Sequence, residues 1–385
     1  MEGPARARVE EFEDLQRCID ACFPTETAAG GMAARWPHCL QPTPEHMRQY
    51  LTLKDGGRIV ACLSCIDQTL IVEGGAFRSG GIGQVSTLNE YRGRGLMTRL
   101  LDDAVRRMEQ EGFALSDLGG DRVRYGRFGW EPAGREWHFT LTPRSVKERE
   151  RPQGFDVRQV TPSPAEKEAI LRLHDAQPRR MARDARKNAY LLTRLGKETW
   201  VAYAGGELTG YAITQKQRTP PAIYEFGGSA EALHALTAEI VGGGESPWSV
   251  WSPWENTANA LWSALAAGWN VGPIHSLRIV DLYSLLKAFD AQMSARLERL
   301  GLPASDALAL RIEETGQRAG LRVAGRTVEV LRAPPPSPEI VLPRRDMVRL
   351  LFGPGAPDAA GFRGIPPRWA ALLPLDWALW HNEMV

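Results

Sequence analysis

Residues 91–101 read YRGRGLMTRLL, two glycines and three arginines in eleven positions, and their flanks narrow what can be built around them. Upstream, GGIGQVSTL has the character of a strand. Downstream, Leu96, Met97, Leu100, Leu101, Ala104, Val105 and Met108 recur at helical spacing. Arg99, Asp102, Asp103, Arg106, Arg107 and Glu109 fall on the opposite face, and Gly112 stands where a C-terminal cap belongs. FALSDLG is the next strand. Strand, glycine loop, helix and strand within about 35 residues fit a parallel crossover unit.

Such a loop holds an anion. A helix N-terminus offers unpaired N–H groups and the positive end of its dipole. Gly93 and Gly95 let the backbone approach a phosphate closely, and Arg92 and Arg94 add charge. These donors exceed what a single phosphate needs, so a pyrophosphate is the expected guest. No Gly-Lys-Ser/Thr follows, which excludes a P-loop, and Met97 and Thr98 break the dinucleotide GxGxxG. The plainer alternative is a basic turn capping a helix.

The 385 residues suggest two or three domains. Three segments emerge: 1–150, 151–277 and 278–385. In the first, GRIVACLSC and TLIVEGG look like consecutive strands ahead of the loop unit. In the second, TWVAYAGGELTGYAIT is a hairpin turning at Gly205 and Gly206. AIYEF, SAEALHALTAEIV and PWSVWSP then give strand, helix and strand. That element order repeats the first segment, but EFGGSAEALH, in the loop's place, has no arginine. The third segment runs from the strand and helix of SLRIVDLYSLLKAF through ALALRIEE, GLRVAG and RTVEVLRA, which alternate like an antiparallel sheet, to the helix PRRDMVRLLFG. Its tail, LLPLDWALWHNEMV, is too apolar for an exposed terminus and is expected to be buried.

Charge excludes some classes. With 47 basic and 46 acidic residues the net charge is +1, so neither nucleic acid nor a membrane surface is an expected partner. No apolar run is long enough to span a bilayer, and the first residues lack the core of a signal peptide, so a cytoplasmic location is expected. The five cysteines, at 18, 22, 39, 62 and 65, form no disulfide framework. Cys62 and Cys65 make a CxxC within a strand, where residues three apart face opposite ways, so small buried residues are expected rather than a redox motif. The spacing of His381, Asn382 and Glu383 suits no metal site, and no metal is expected.

VSTLNEYRGRGLMTRLL resembles the acetyl-coenzyme A loop of the GNAT superfamily, Arg/Gln-x-x-Gly-x-Gly/Ala, with Arg92 and Gly95 matching. Met97 departs from the small residue at the sixth place, which one branch tolerates, the enhanced intracellular survival family of aminoglycoside acetyltransferases. YGRFGWEPAG, residues 125–134, is similar to that branch as well. The resemblance implies an α/β (α+β) fold with two tandem GNAT-like domains, the second lacking the loop, followed by a sterol-carrier-protein-like α+β domain. It implies acetyl-coenzyme A as co-substrate and a small-molecule amine as acceptor, an aminoglycoside or another polycationic amine, acetylated directly in a ternary complex. It also implies a homo-oligomer, a hexamer.

Residue by residue, the resemblance sets Val85, Ser86 and Thr87 on the pantetheine arm and the thioester carbonyl. Gly93, Arg94, Gly95, Leu96, Met97 and Thr98, with Arg92, would cradle the pyrophosphate, and Gly120 and Asp121 would line the far side of the coenzyme. Tyr125 would protonate the departing thiolate, the carboxylate of Val385 would serve as base, and Trp36 would wall the acceptor pocket. Plainer readings stand beside these: Tyr125 as a packing aromatic near Phe128 and Trp130, Val385 as an ordinary chain end. Trp248, Trp251, Trp254, Trp262 and Trp269 are expected mainly in cores. Two rival functions remain at this level: a lipid or sterol carrier using the third segment, and acetylation of a protein lysine.

Overall fold

The computed structural model describes residues 1–24, 31–301 and 305–385, and three sheets organise them into a mixed α/β fold. The first sheet runs Glu2–Arg6, Tyr50–Asp55, Arg58–Val72, Gly75–Thr87, Leu115–Leu118, His275–Ile279, Glu131–Ala133, with Arg179–Met181 paired to its third strand. The second runs Phe155–Val160, Glu198–Ala204, Glu207–Gln215, Ala222–Gly228, Trp248–Pro253, Glu136–Leu141, Gly268–Gly272. Both follow one plan. Four antiparallel strands lead to a single parallel pair, and two antiparallel strands complete the sheet.

The sixth strands are exchanged. Glu136–Leu141 follows the last strand of the first sheet in sequence but joins the second, and His275–Ile279 makes the reverse journey. Sheet membership therefore cuts across the expected divisions at residues 150 and 277. The third sheet, Thr327–Leu331, Arg318–Ala324, Ser305–Ile312 and Glu339–Leu342, has the expected antiparallel strands plus a parallel fourth. Its apolar face, with Leu308, Leu310 and Ile312, shares one core with Phe289, Phe352 and, from the first sheet, Leu70, Phe77 and Leu115.

Two local expectations are corrected. GRIVACLSC and TLIVEGG are one strand, Arg58–Val72, because Ile66, Asp67 and Gln68 stay in register with Gly81, Gly80 and Ser79 across an unbroken ladder. On the helix Leu96–Gln110, Asp103 belongs to the buried side. Its carboxylate is covered by Arg106 and by Arg107, whose Nε donates to it at 2.6 Å. The helix otherwise buries Leu96, Leu100, Leu101, Ala104 and Met108, each large side chain contributing roughly 1.5–3 kcal/mol of burial. It stops before Gly112, whose φ of +75° suits the left-handed position after a helix.

Candidate active site

The parallel pairing in the first sheet lasts only from Ser79 opposite Leu115 to Ile82 opposite Leu118. Leu115–Leu118 then ends while Gly75–Thr87 continues, so the sheet splits, and the split is bordered by Val85, Ser86 and Thr87 on one side and Gly120 and Asp121 on the other. A bulge sharpens it. Cys62 opposes Ser86 and Ser64 opposes Gly83, leaving Gln84 and Val85 against Leu63 alone. Gln84 takes a φ of +44°, a left-handed conformation that costs a non-glycine residue roughly 1–2 kcal/mol. The hydroxyls of Ser64, at 2.7 Å, and Tyr50, at 3.2 Å, donate to its Oε1 and hold it there.

The loop beyond the split leaves its glycines and the following helix N-terminus open. Gly93 and Gly95 have φ of +75° and +71°, and a β-carbon on either would meet nothing within 4 Å, so open space lies where a phosphate would sit. Gly95 is the N-cap of Leu96–Gln110, and no side chain caps the first N–H groups. Arg92 and Arg94 are exposed. Their side chains donate to the carbonyls of Thr87 at 3.4 Å and Glu90 at 3.0 Å, contacts that an anion can replace. Leu96 is buried, while Met97 and Thr98 are half-buried beneath the turn.

The corresponding place in the second sheet is closed. Ser229 caps Ala230–Ile240 by accepting from Ala232 N–H, and Gly228 lies hard against the Thr209 carbonyl. The parallel pair there spans only Ala222 with Ser249 and Ile223 with Val250, and the gap beyond is filled by the chain's own tail. Trp380 packs edge-on to Phe226 at 4.8 Å, and His381 stacks on Trp251 at 4.2 Å.

Tyr125 sits in the short helix Arg122–Gly126, which Asp121 caps through the N–H of Arg124 at 2.7 Å. Its ring lies on Gly120, where a β-carbon would come within 2.7 Å of Cε2, so that position must be glycine. Burial pushes the Tyr125 hydroxyl up, which keeps it a neutral donor through the physiological range.

The tail is buried over most of its length, with Leu375, Trp377, Leu379 and Trp380 in cores and Asn382 and Glu383 enclosed, but Met384 and Val385 at its end are half-buried, short of the expected full burial. Asp376 is gripped by Arg135, at 2.7 and 2.8 Å, and by Arg296. Glu383, fully buried, receives Arg183 Nε at 2.7 Å and Nη2 at 2.6 Å on one oxygen and the N–H of Trp380 at 2.9 Å on the other. The same guanidinium donates to both oxygens of Glu225, at 2.8 and 2.9 Å, and Asn382 and Tyr211 donate to Glu225 as well. Burial alone would raise the Glu383 carboxyl, but Arg183 and His174 bring it down to about 2. Anchored this way, the tail reaches the first sheet. The carboxyl carbon of Val385 is 2.9 Å from the point where a β-carbon on Gly83 would stand, and its Cγ2 is 2.9 Å from the equivalent point on Gly81.

Trp36 is half-buried, with the Arg194 guanidinium 5.2 Å from its ring centre. Arg194 also donates to the carbonyls of Arg35, at 2.9 Å, and Asn382, which puts Trp36 beside the tail. Of the later tryptophans, Trp248 and Trp262 are core, while Trp251 and Trp254 are half-buried in aromatic stacks. Trp269 departs from the core expectation: it is 55% exposed, because Gly268–Gly272 is the edge strand of the second sheet. Glu136 accepts from His138 and His381, both at 3.0 Å; burial raises its carboxyl, and these two imidazoles bring it lower. Among the described residues no group of three His, Cys, Asp or Glu side chains could hold a metal, and no helix is long and apolar enough to cross a membrane.

Sequence reasoning missed Gln84, Gln68, Arg183 and Glu225. One signal was available. Gly80, Gly81 and Gly83 interrupt a strand, and glycine inside a strand marks close approach of another group. That group is Met108 at Gly80 and the tail at Gly81 and Gly83.

Residues 4–133 match the family model of the acetyltransferase (GNAT) domain. No curated protein sequence matches the chain. Several solved structures share its fold almost end to end. A GCN5-related N-acetyltransferase from Kribbella flavida is 19% identical with a TM-score of 0.70, over 97% of this chain and 96% of that one. A second, from Anabaena variabilis ATCC 29413, is 16% identical with a TM-score of 0.71, over 99% and 96%. Eis1 from Mycobacterium abscessus is 15% identical with a TM-score of 0.65, over 96% and 95%. At these identities the likeness is one of fold.

Proposed function

We propose, for a chain whose first domain is a GNAT acetyltransferase domain, that it acetylates an amine directly from acetyl-coenzyme A within a ternary complex. The observation that carries this reading is the carboxyl group of Val385 resting on Gly83, two positions before Val85 on the strand that borders the split. Val85, Ser86 and Thr87 engage the pantetheine and the thioester, and a backbone N–H there stabilises the oxyanion. The pyrophosphate lies on Gly93, Arg94, Gly95, Leu96, Met97 and Thr98 with Arg92, and Gly120 and Asp121 face it across the split.

The Val385 carboxylate takes a proton from the acceptor ammonium, freeing a lone pair for attack on the thioester carbon. The tetrahedral intermediate collapses as Tyr125 protonates the leaving thiolate, and the second proton released from the nitrogen as the neutral amide forms returns Tyr125 to its hydroxyl form. No covalent enzyme intermediate is needed. Trp36 walls the acceptor. Aminoglycosides and other polycationic amines are the acceptors that the family resemblance favours. The matching strand plans of the first two sheets support a second GNAT-like unit without a coenzyme loop, with a sterol-carrier-like third unit completing the chain. The same resemblance gives a homo-oligomer, a hexamer, which a sizing measurement tests.

The decisive assay follows thiol release with a panel of amines. Tyr125→Phe and a one-residue extension after Val385 are each expected to lower kcat by about 10²-fold or more. Full activity in both would remove the acid and the base together.

A further inference from the structure

Glu198–Ala204, Glu207–Gln215, Ala222–Gly228 and Trp248–Pro253 lie side by side in the second sheet. At the end next to the tail they bring cations onto aromatic rings. Lys197, just before the first of these strands, has its Nζ 3.1 Å from the centre of the Tyr224 ring. Arg218, just past the second, has its guanidinium carbon 4.4 Å from the centre of the Trp251 ring. Tyr224 stands edge-on to Trp251 at 5.2 Å and to His381 of the tail at 5.9 Å. Arg194 extends the group to Trp36 and ties it to the tail at the Asn382 carbonyl.

The charge here is one-sided. Arg194 is buried, and Lys197 and Arg218 are half-buried. Arg194 gives its N–H groups to two backbone carbonyls, and Lys197 donates to the amide oxygen of Gln215 at 2.8 Å. Nη1 of Arg218 is buried and has no hydrogen-bond partner. Among the described residues none of the three pairs with a carboxylate. The acids nearby are taken: Glu225 and Glu383 by Arg183, Glu136 by His138 and His381. Cations that leave water are normally paired, because each loses hydration and like charges repel. The cost registers on Lys197, where burial first, then Arg194, Arg218 and Arg35, push the amine down to about 6. An anion entering the group would supply the counter-charge and restore the Lys197 ammonium.

The place lies close to the proposed chemistry, since the three residues from Asn382 to Val385 span at most about 11 Å of extended chain. Building on the reading of Val385 as base and Trp36 as acceptor wall, we propose that Arg194, Lys197 and Arg218 bind an anionic group, and that the acceptor is an amine which also carries a carboxylate or a phosphate. Arg218 donates from its unpaired Nη1, Lys197 from its ammonium, and the rings of Tyr224 and Trp251 flank the guest. A polycationic amine would meet three cations at this place. The family resemblance favours such an acceptor; the charges of this chain favour an acidic one.

Binding is measured first, by calorimetry on the full chain with coenzyme A present. The probes are benzoate and phenyl phosphate, with benzamide as the neutral counterpart. At least one anion is expected to bind about tenfold or more tighter than benzamide, and their order tells carboxylate from phosphate. Lys197→Met and Arg218→Gln should each weaken that anion about tenfold and leave benzamide within about twofold. Anions that bind no tighter than benzamide, or that bind equally to both folded variants and to wild type, overturn the site. Acetyl transfer is then compared within two pairs that differ only by the anion: free lysine with 1,5-diaminopentane, and O-phosphoethanolamine with ethanolamine. The acidic member of at least one pair should have a kcat/KM about tenfold or more higher, and Lys197→Met should lose the advantage. An equal or reversed preference in both pairs overturns the assignment to the acceptor. If no amine is acetylated while the anion still requires Lys197, the transferase reading fails and the anion site stands.

Discussion

The carboxyl carbon of Val385 occupies the space a side chain on Gly83 would need, 2.9 Å from the missing β-carbon. Two residues 302 positions apart in sequence thus define one point on the split of the first sheet.

Gly83→Ala is therefore expected to displace the tail rather than the strand, because Gly83 is held in the sheet ladder while Val385 is a half-buried chain end. Its kcat falls about tenfold or more, while acetyl-coenzyme A affinity, assigned above mainly to the loop at residues 92–98, stays within about twofold. Steady-state kinetics with an equilibrium measurement of coenzyme binding check this.

Glu383→Gln breaks a buried ion pair and leaves Arg183 with one carboxylate. The expected loss is about 3–5 kcal/mol, seen as a lower denaturation midpoint. The pH dependence has a definite sign. The folded carboxyl titrates near 2, below its ordinary value of 4.5, so its contribution is present above about pH 5 and is lost as pH falls from 4.5 towards 2. The variant should lose less stability than the wild type over that window.

Gly95 stands at φ +71° in front of an uncapped helix. Gly95→Val puts a branched side chain into both the strained conformation and the anion space. The KM for acetyl-coenzyme A should rise about tenfold with kcat nearly unchanged at saturation, and denaturation should show a loss of about 1–2 kcal/mol.

Lys197 is the counterpart case among bases. Burial first, then Arg194, Arg218 and Arg35, push its amine down to about 6, even though it sits 3.1 Å from the centre of the Tyr224 ring. The desolvation outweighs the attraction of the ring for a cation. Because the unfolded chain holds that proton up to about pH 10.5, stability should rise with pH between 6 and 10.5. Lys197→Met should be more stable than wild type at pH 6 by a margin that narrows by pH 9, which thermal melts at the two values would show.

What the sequence made legible was local. Leu96, Leu100, Leu101 and Met108 announce their helix by spacing, Gly93 and Gly95 announce the turn, and the apolar tail announces its burial. Asp103 misled because spacing alone ignores that Arg106 and Arg107 can fold over a carboxylate. The anchor of the tail was not legible at all: Arg183 is 42 residues from Glu225 and 200 from Glu383, and nothing in a residue's neighbours says which distant charge it will meet. Gln84 was hidden for another reason, since a left-handed glutamine is imposed by Ser64 and Tyr50 from adjoining strands and has no signature of its own.

The exchanged strands bear on how the molecule comes into being. As the chain leaves the ribosome, the first sheet has seven of its eight strands by Met181 but waits for His275–Ile279 to fill the place between Leu115–Leu118 and Glu131–Ala133. Until then Leu115 lacks its partner Ile279, and Glu136–Leu141 has been made with no sheet of its own to join. Neither half can be finished before the other is nearly complete, so the two should melt in one transition, and a fragment cut at residue 150 would hold an unpaired strand rather than a small enzyme.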